Sequence, residues 1–303
     1  MITSKLPPYF GGLGFYANKS INEPSLLLYC DAESISETYW PCVGFKDIYR
    51  WVPENSNRLL LPSTEIVNGQ PLNFARFNGT YPYVNQGDAS FLRLKKWNSS
   101  TSTYNFVSQR DLFDYGKSFT IQMTCTFEPT SGTSYQNYRG MMGIGHLSSP
   151  AINGTTVPTG STRDAIFMGQ YQNGNVVWGF SPYLGSSTAK IISVPISVIQ
   201  NLSSGRFCWT FVYDNENKIA KLYLSKDNLG SLFYNTMSVT TPPQMCNINP
   251  STSINVGVGL GMGYWSTDRH MKGNIYSVLM YSRALRIEEL IHNFEIQKRL
   301  YLL

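Results

Sequence analysis

The stretch from Gly273 to Leu285 limits the fold of this chain more than any other. It reads Gly-Asn-Ile-Tyr-Ser-Val-Leu-Met-Tyr-Ser-Arg-Ala-Leu, and from Ile275 to Tyr281 nearly every position is apolar or aromatic. A strand with one solvent face alternates polar and apolar residues, whereas an unbroken apolar run is typical of a strand covered on both faces. We therefore expect this strand to lie in the core.

The residues after this strand change to a helical period. Ser282 is the predicted N-cap. The helix dipole is stabilised by acidic residues near the start, Glu288 and Glu289, and by basic residues near the end, Lys298 and Arg299. The apolar residues, which recur at i, i+3, i+4 and i+7, are Ile287, Leu290, Ile291 and Phe294. This pattern predicts a short amphipathic helix that packs back on the sheet through its apolar face.

Both ends of the chain carry a family resemblance. The corner Tyr281-Ser-Arg-Ala-Leu285 and the following Glu288-Glu-Leu-Ile-His-Asn-Phe294 resemble the closing segment of the concanavalin A-like jelly rolls of the laminin-G-like kind. Ser25-Leu-Leu-Leu-Tyr-Cys-Asp-Ala32 resembles their opening strand. The resemblance spans about residues 25–303. It implies an all-β fold, a two-sheet antiparallel jelly-roll sandwich with a short C-terminal helix, in which the opening strand lies beside the closing one.

Interior segments support the all-β prediction. Phe119 to Phe127 alternates over nine residues, which predicts a strand with one face in the core and the other, lined by threonines, toward solvent or a neighbour. Hairpins are predicted around Asn173-Gly174 and around residues 214–218, an exposed hairpin tip at residues 97–104 and a flat-faced strand at residues 256–263. About a dozen strands result, enough for one two-sheet sandwich.

The chain is expected to form one jelly-roll domain, residues 25–303, preceded by an irregular arm, residues 1–24. The arm is rich in Pro and Gly, and its anchors are Tyr9, Phe10, Phe15 and Tyr16. It either wraps its own domain or docks on a partner subunit. Residues 40–57 are expected to form a polar and aromatic loop.

Charge and hydropathy exclude several partners. The formal net charge of +5 is spread along the chain, and Lys95-Lys96 is the only basic doublet before Lys298-Arg299, so no stripe for nucleic acid is present. No apolar run follows Lys5, and no stretch approaches membrane-spanning length. The sequence predicts synthesis in a host cytoplasm, without a signal peptide and without membrane insertion.

Five cysteines occur, without CxxC or Cys/His spacing. Cys125 and Cys208 lie in apolar strand patterns, where Cys behaves as a small hydrophobe, so buried free thiols are expected. A bridge between Cys30 and Cys42 stays open as an alternative.

No catalytic pattern is present. The Glu-x-Asp-x-x-Glu strand of jelly-roll glycanases is missing, and Asp214-x-Glu216 lies in a predicted turn. No Gly-x-Ser-x-Gly elbow occurs. The histidines are far apart, at His146, His270 and His292. No cofactor is predicted; a Ca²⁺ site would have to be assembled by folding, since the acids considered for it are isolated, namely Asp88, Asp164 and Asp268.

Aromatic residues beside loops are the remaining candidates, because flat rings stack on sugar faces and Asn or Asp accepts hydroxyl bonds. The candidate ligand-binding residues are Tyr171, Trp178, Tyr183, Tyr264, Trp265 and Asp268. By resemblance, the first hypothesis is a non-enzymatic virion protein of a tailed phage, a capsid decoration, fibre or tail-associated protein. It would dock on other virion subunits, or on copies of itself, and bind host glycan. The alternatives are a stand-alone carbohydrate-binding module and a glycan hydrolase.

Overall fold

Strands make up most of the backbone described by the computed structural model, which covers residues 24–35, 39–44, 47–53, 62–78, 92–107, 109–113, 116–129, 139–146, 165–170, 176–181, 190–200, 205–240, 256–261 and 271–303. The 17 strands in these ranges are β1 Leu26–Asp31, β2 Trp40–Val43, β3 Ile48–Pro53, β4 Pro62–Val67, β5 Gln70–Asn78, β6 Leu92–Asn98, β7 Thr103–Phe106, β8 Phe119–Cys125, β9 Arg139–His146, β10 Ala165–Gln170, β11 Val176–Ser181, β12 Lys190–Val194, β13 Phe207–Asp214, β14 Ile219–Ser225, β15 Phe233–Ser238, β16 Val256–Leu260 and β17 Lys272–Tyr281. Every ladder between them is antiparallel, and the predicted dozen was an undercount.

Helices are few. The described ones are α1 Gln109–Leu112, α2 Ile196–Gln200 and α3 Ile287–Tyr301. The all-β prediction with a short C-terminal helix is confirmed.

Strand β17 lies at the centre of the sheet. On one side its two halves pair with β1, through Cys30↔Val278, and with β5, through Phe77↔Gly273. On the other side it pairs with β8. All residues from 275 to 281 are buried, as the unbroken apolar run predicts. The first and last described strands are therefore neighbours, as expected.

The strands form two layers around one core. A continuous ladder runs β15-β14-β13-β8-β17-β1-β2-β3-β6-β16-β9-β10-β11-β12, and its two ends come together where β12 lies beside β15. The first layer groups the strands on the β17 side of β1, which are β4, β5, β8, β13, β14, β15 and β17. The second groups the strands beyond β2, which are β3, β6, β7, β9, β10, β11, β12 and β16, and β1 and β2 connect the two groups. Core residues from both layers, such as Trp209 and Trp51, belong to one buried cluster. This arrangement is the predicted sandwich.

Strands β2 and β3 correct the loop predicted at residues 40–57. They form a hairpin in which Trp40 pairs with Trp51, and both indoles are fully buried. The core-facing residues alternate along both strands, but Pro41 and Arg50 between them give the segment a polar, turn-like composition. That composition masked the period-2 signal.

The hairpin is joined to β1 by a disulfide. Cys30 and Cys42 face each other in the β1–β2 ladder and are bonded. The bridge that the sequence leaves open as an alternative is therefore formed. Cys125 and Cys208 are buried and free, as predicted, and burial raises the pKa of the Cys208 thiol to about 11.

Helix α3 covers the outer face of the first layer, and only part of its predicted face is buried. Leu290 and Phe294 are buried, whereas Ile287 and Ile291 are each 46% exposed. The buried stripe continues through polar and aromatic positions, which are Asn293, Gln297 and Tyr301. The hydrophobic pattern therefore predicts the helix and the apolar part of its buried face, Leu290 and Phe294, but not the polar part.

The polar part of that stripe meets the threonine face of β8. Asn293 Nδ2 donates to Gln122 Oε1 at 2.8 Å. Thr124 donates to Gln297 Oε1 at 2.7 Å, and Ser277 donates to the same oxygen. These groups are 6% exposed or less, so the face that could have met solvent is instead sealed by α3. Gln122 Nε2 also donates to Thr210 Oγ1 at 3.1 Å. We call this buried hydrogen-bonded group between α3 and the sheet the polar layer; its members are Gln122, Thr124, Thr210, Ser277, Asn293 and Gln297.

The start of α3 also differs from the prediction. Its N-cap is Arg286 rather than Ser282, whose backbone N–H donates to Ser25 O at 2.8 Å. Glu289 accepts from the Arg286 N–H at 2.8 Å and from both outer nitrogens of Arg283 at 2.7 and 2.8 Å. Hydrogen bonding to Arg283 lowers the pKa of Glu289 to about 2. The corner after β17 is therefore locked by a forked ion pair.

Candidate functional site

The residues selected from the sequence lie almost entirely outside the described ranges. This holds for the candidate ligand residues Tyr171, Tyr183, Tyr264, Trp265 and Asp268, for the arm residues Tyr9, Phe10, Phe15 and Tyr16, and for the calcium candidates Asp88 and Asp164. These choices stay predictions.

Trp178 is the exception, since its backbone lies in β11. It pairs in register with Met168 on β10 and with Ile192 on β12. Both partners are almost completely buried. These pairings place the backbone of residue 178 in the middle of the β10–β11–β12 ladder, and the choice of Trp178 as a ligand residue stays a prediction.

A different aromatic surface lies on the outer face of the second layer. Along β3 and β6 the residues Trp51 and Leu94 point into the core. Because successive strand residues face opposite sides, Arg50, Lys95 and Trp97 point outward. With the neighbouring rings they form what we call the aromatic–cation surface, made of Tyr39, Arg50, Lys95, Trp97, Tyr104 and Phe106, all of them partly exposed.

The β6–β7 hairpin positions two of these rings. Trp97 pairs with Tyr104 across the hairpin, and their ring centroids are 5.0 Å apart at 59°. The turn between them is closed by Ser102 in the left-handed region at φ 53° and by Asn98, whose side chain accepts from the Ser100 N–H at 3.0 Å. A short turn thus fixes two large aromatic side chains at the rim of the sheet.

Arg50 is held between two tyrosines. Its guanidinium carbon lies 3.7 Å from the ring centroid of Tyr104 and 5.4 Å from that of Tyr39. Such stacking uses the face of the guanidinium and leaves its edge available for hydrogen bonds. The Nε atom of Arg50 is buried and has no hydrogen-bond partner among the residues that the structure describes.

Phe106 carries a second cationic contact. Lys95 Nζ lies 4.3 Å from its ring centroid, and the guanidinium carbon of Arg93 lies 3.7 Å from it. Arg93 lies two residues before Lys95 on the same face of β6 and is 1% exposed. Lys96, which follows Lys95 but faces the other way, is paired with Asp47 at 2.9 Å.

Sequence reasoning missed this surface. The sequence predicts an exposed hairpin tip at residues 97–104, which is confirmed, but its pattern does not single out Trp97 or Tyr104. The available signal was a Trp and a Tyr that bracket a polar turn at positions that pair when the hairpin closes. Arg50 was hidden inside the segment predicted as a loop.

Two of the described acids, Asp31 and Asp214, have structural roles. Asp31 is 6% exposed; its carboxylate accepts from Tyr29 OH at 2.7 Å and from the Glu33 N–H at 2.9 Å, and burial raises its pKa. Asp214 closes the β13–β14 turn by accepting from the Asn217 N–H at 3.1 Å. Within the described ranges, no group of three or more His, Cys, Asp or Glu could hold a metal ion. None of the described helices has the length and apolar character to cross a membrane.

By sequence, no protein family and no individual curated protein matches the chain. By structure it is similar to the binding domain of botulinum neurotoxin serotype D/C, with a TM-score of 0.53 and 12% identity over 91% of this chain and 53% of that one. The binding domain of Paraclostridial mosquitocidal protein 1 gives a TM-score of 0.49 and 14% identity over 90% of this chain and 52% of that one. The CBM40 of the Ruminococcus gnavus IT-sialidase, bound to α2,3-sialyllactose, gives a TM-score of 0.40 and 16% identity over 59% of this chain and 82% of that one.

The chain spans about half of the length of the two toxin binding domains that it matches. At 12% identity the likeness to the botulinum domain establishes the fold alone. That fold is the β-sandwich described above.

Proposed function

We propose that this chain is a non-enzymatic carbohydrate-binding module. The observation that carries the proposal is the aromatic–cation surface: partly exposed rings of Trp97 and Tyr104 stand beside the donors of Arg50, on the sheet face opposite to α3. Rings of this kind stack on the apolar faces of sugars, while nearby polar groups fix the hydroxyls.

The shared fold supports a binding role. The botulinum neurotoxin domain of similar architecture is described as a binding domain. A sandwich of this kind offers a broad, rigid outer face on its second layer, since the first is occupied by α3. Fold likeness supplies only analogy for function, so the proposal depends on the residues of the surface.

The absence of catalysis is also part of the proposal. Of the described acids, Asp31 is engaged in the interior and Asp214 closes a turn. Glycoside hydrolysis needs two carboxyl groups about 5–9.5 Å apart in a cleft. Incubation with labelled glycans that releases no product is the expected outcome, and turnover would contradict this part of the proposal.

A glycan array followed by titration calorimetry tests binding. We expect Trp97→Ala and Tyr104→Ala each to lower the affinity for the tightest-binding ligand of the array about three- to tenfold, because each variant removes one stacking ring. Tyr234→Ala is the matched control: Tyr234 is 51% exposed on β15, in the other layer. Equal losses in all three variants, or an array without any ligand, would contradict the proposed function.

We further propose the setting implied by the resemblance, a tailed-phage virion in which the module is a decoration, fibre or tail-associated subunit. The support for it is the laminin-G-like closing segment, residues 273–294, together with the Pro- and Gly-rich arm, residues 1–24. Removing residues 1–20 is expected to leave the sandwich folded, by circular dichroism, but to abolish its incorporation into particles. A truncated chain that unfolds, or that still assembles, would argue against this setting.

A further inference from the structure

The two layers are joined along the backbone at one short place. Among the ladders between described strands, only β1–β2 connects the first layer with the second, and it contains two residue pairs, Tyr29↔Val43 and Cys30↔Cys42. Its neighbours are longer, since β1 pairs with β17 at five residues and β2 pairs with β3 at four. The disulfide lies in one of the two pairs. The covalent bond is therefore placed where the hydrogen-bonded connection is shortest.

The backbone around the disulfide suits both the bonded and the open state. Cys30 and Cys42 are directly opposed, and their Cα atoms are 4.5 Å apart. This distance is typical of a non-hydrogen-bonded pair in an antiparallel ladder, and it lies within the range that a disulfide spans. Two thiols at these positions need the same strand pairing as the bridge. The folded chain can therefore hold either redox state.

Both sulfur atoms are shielded from solvent. Cys30 is fully buried, Cys42 is 2% exposed, and the indole N–H of Trp51 donates to Cys30 Sγ at 3.1 Å. A small thiol or disulfide in solution reaches these atoms only when the β1–β2 ladder opens. Local opening of a short ladder needs less free energy than unfolding of the whole domain. Exchange with the medium is therefore limited by this local opening.

From this placement, a disulfide within the two-pair ladder that joins the layers, we propose that the Cys30–Cys42 bridge is a redox-sensitive clamp. In a reducing medium the chain folds with two thiols, and the β2–β3 hairpin is held to β1 by the ladder alone. In an oxidising medium the bond fixes the hairpin to β1. Because β3 carries Arg50, the clamp acts beside the aromatic–cation surface, and its action requires no glycan ligand.

The closing step consumes an external disulfide, such as oxidised glutathione. One cysteine thiolate attacks a sulfur of this disulfide, forms a mixed disulfide and releases one glutathione thiol. The second cysteine then displaces the other glutathione, and the bond between Cys30 and Cys42 forms. Two protein thiols are oxidised, two glutathione thiols are formed, and the two cysteine protons end on them. A dithiol such as dithiothreitol reverses the step.

The test compares the full chain after incubation with oxidised glutathione and with dithiothreitol. Alkylation and peptide mass spectrometry confirm whether Cys30 and Cys42 are bonded. We expect oxidation to raise the Tm by about 5 °C, since the bond restricts the unfolded chain. Hydrogen exchange in a peptide that covers β2 and β3 should slow about tenfold or more, while exchange in β13 and β14 stays the same.

Two variants locate the effect. The double variant Cys30→Ala, Cys42→Ala lacks the bond and should behave like the reduced chain in both media. Cys125→Ala is the matched control, because it removes a buried thiol that is already free, and it should respond to oxidation as the unmodified chain does. If the double variant does not fold, the unmodified chain in dithiothreitol supplies the same comparison.

Three results would overturn the clamp. The first is an equal Tm and equal hairpin exchange in the oxidised and reduced chains. The second is a bond that dithiothreitol reduces only after global unfolding in urea, since the bridge would then be a fixed structural bond. The third is fast exchange throughout the reduced chain, β13 included, because the open state would then not be folded.

Discussion

Replacing Phe294 with alanine is expected to lower the free energy of unfolding by about 3–5 kcal/mol. The side chain is fully buried, so its removal loses apolar contact and leaves a cavity that close-packed surroundings can fill only in part. Urea denaturation followed by tryptophan fluorescence measures the change, because Trp40, Trp51 and Trp209 are all in the core.

Ile291→Ala is the matched control, on the same helix and equally apolar in sequence. Its side chain is 46% exposed, so the loss in free energy of unfolding should stay below about 0.5 kcal/mol. The higher helix propensity of alanine reduces this loss further. A loss at Ile291 as large as at Phe294 would mean that the helix packs through the face predicted from hydrophobic spacing, and that the observed stripe is wrong.

Gln297→Leu should have an effect of similar size for a different reason. Gln297 Oε1 accepts hydrogen bonds from Thr124 and Ser277 in the sealed polar layer. Leucine fills a similar volume but leaves two buried hydroxyls without their acceptor, which is expected to cost about 2–4 kcal/mol. The measurement is again the free energy of unfolding in urea.

A triple variant isolates the hydrogen bonds. Adding Thr124→Val and Ser277→Ala to Gln297→Leu removes the donors together with the acceptor, and replacing both partners by apolar groups is close to neutral. We therefore expect the triple variant to be more stable than Gln297→Leu alone. If it is less stable, volume and packing rather than hydrogen bonding account for the loss.

The parts of the fold that could be predicted are those that bury apolar side chains at a regular period. Strand β17 and its partner β1 are of this kind, because both are covered on both faces and show an unbroken run. The buried face of α3 could be predicted only in part, since Asn293 and Gln297 look like solvent residues unless the threonines of β8 are known to lie beneath them.

The candidate site could not be predicted because its geometry is made by pairing between segments. Arg50 meets Tyr104 only when β3, β6 and β7 are adjacent. Tyr39 lies just before the β2–β3 hairpin, where Pro41 makes the segment look like a loop in the sequence. A sequence pattern records spacing along one strand, whereas stacking a guanidinium between two rings depends on the order of strands in the sheet.

The pairing of β1 with β17 has a consequence for how the chain is made. Ser282 donates to Ser25 across 257 residues of sequence, and β17 is synthesised after every other strand that the structure describes. Contacts this far apart in sequence are slow to form. Until β17 has been made, the nascent chain therefore carries a half-built sandwich with open strand edges, and its yield in cells should depend on chaperones that shield those edges.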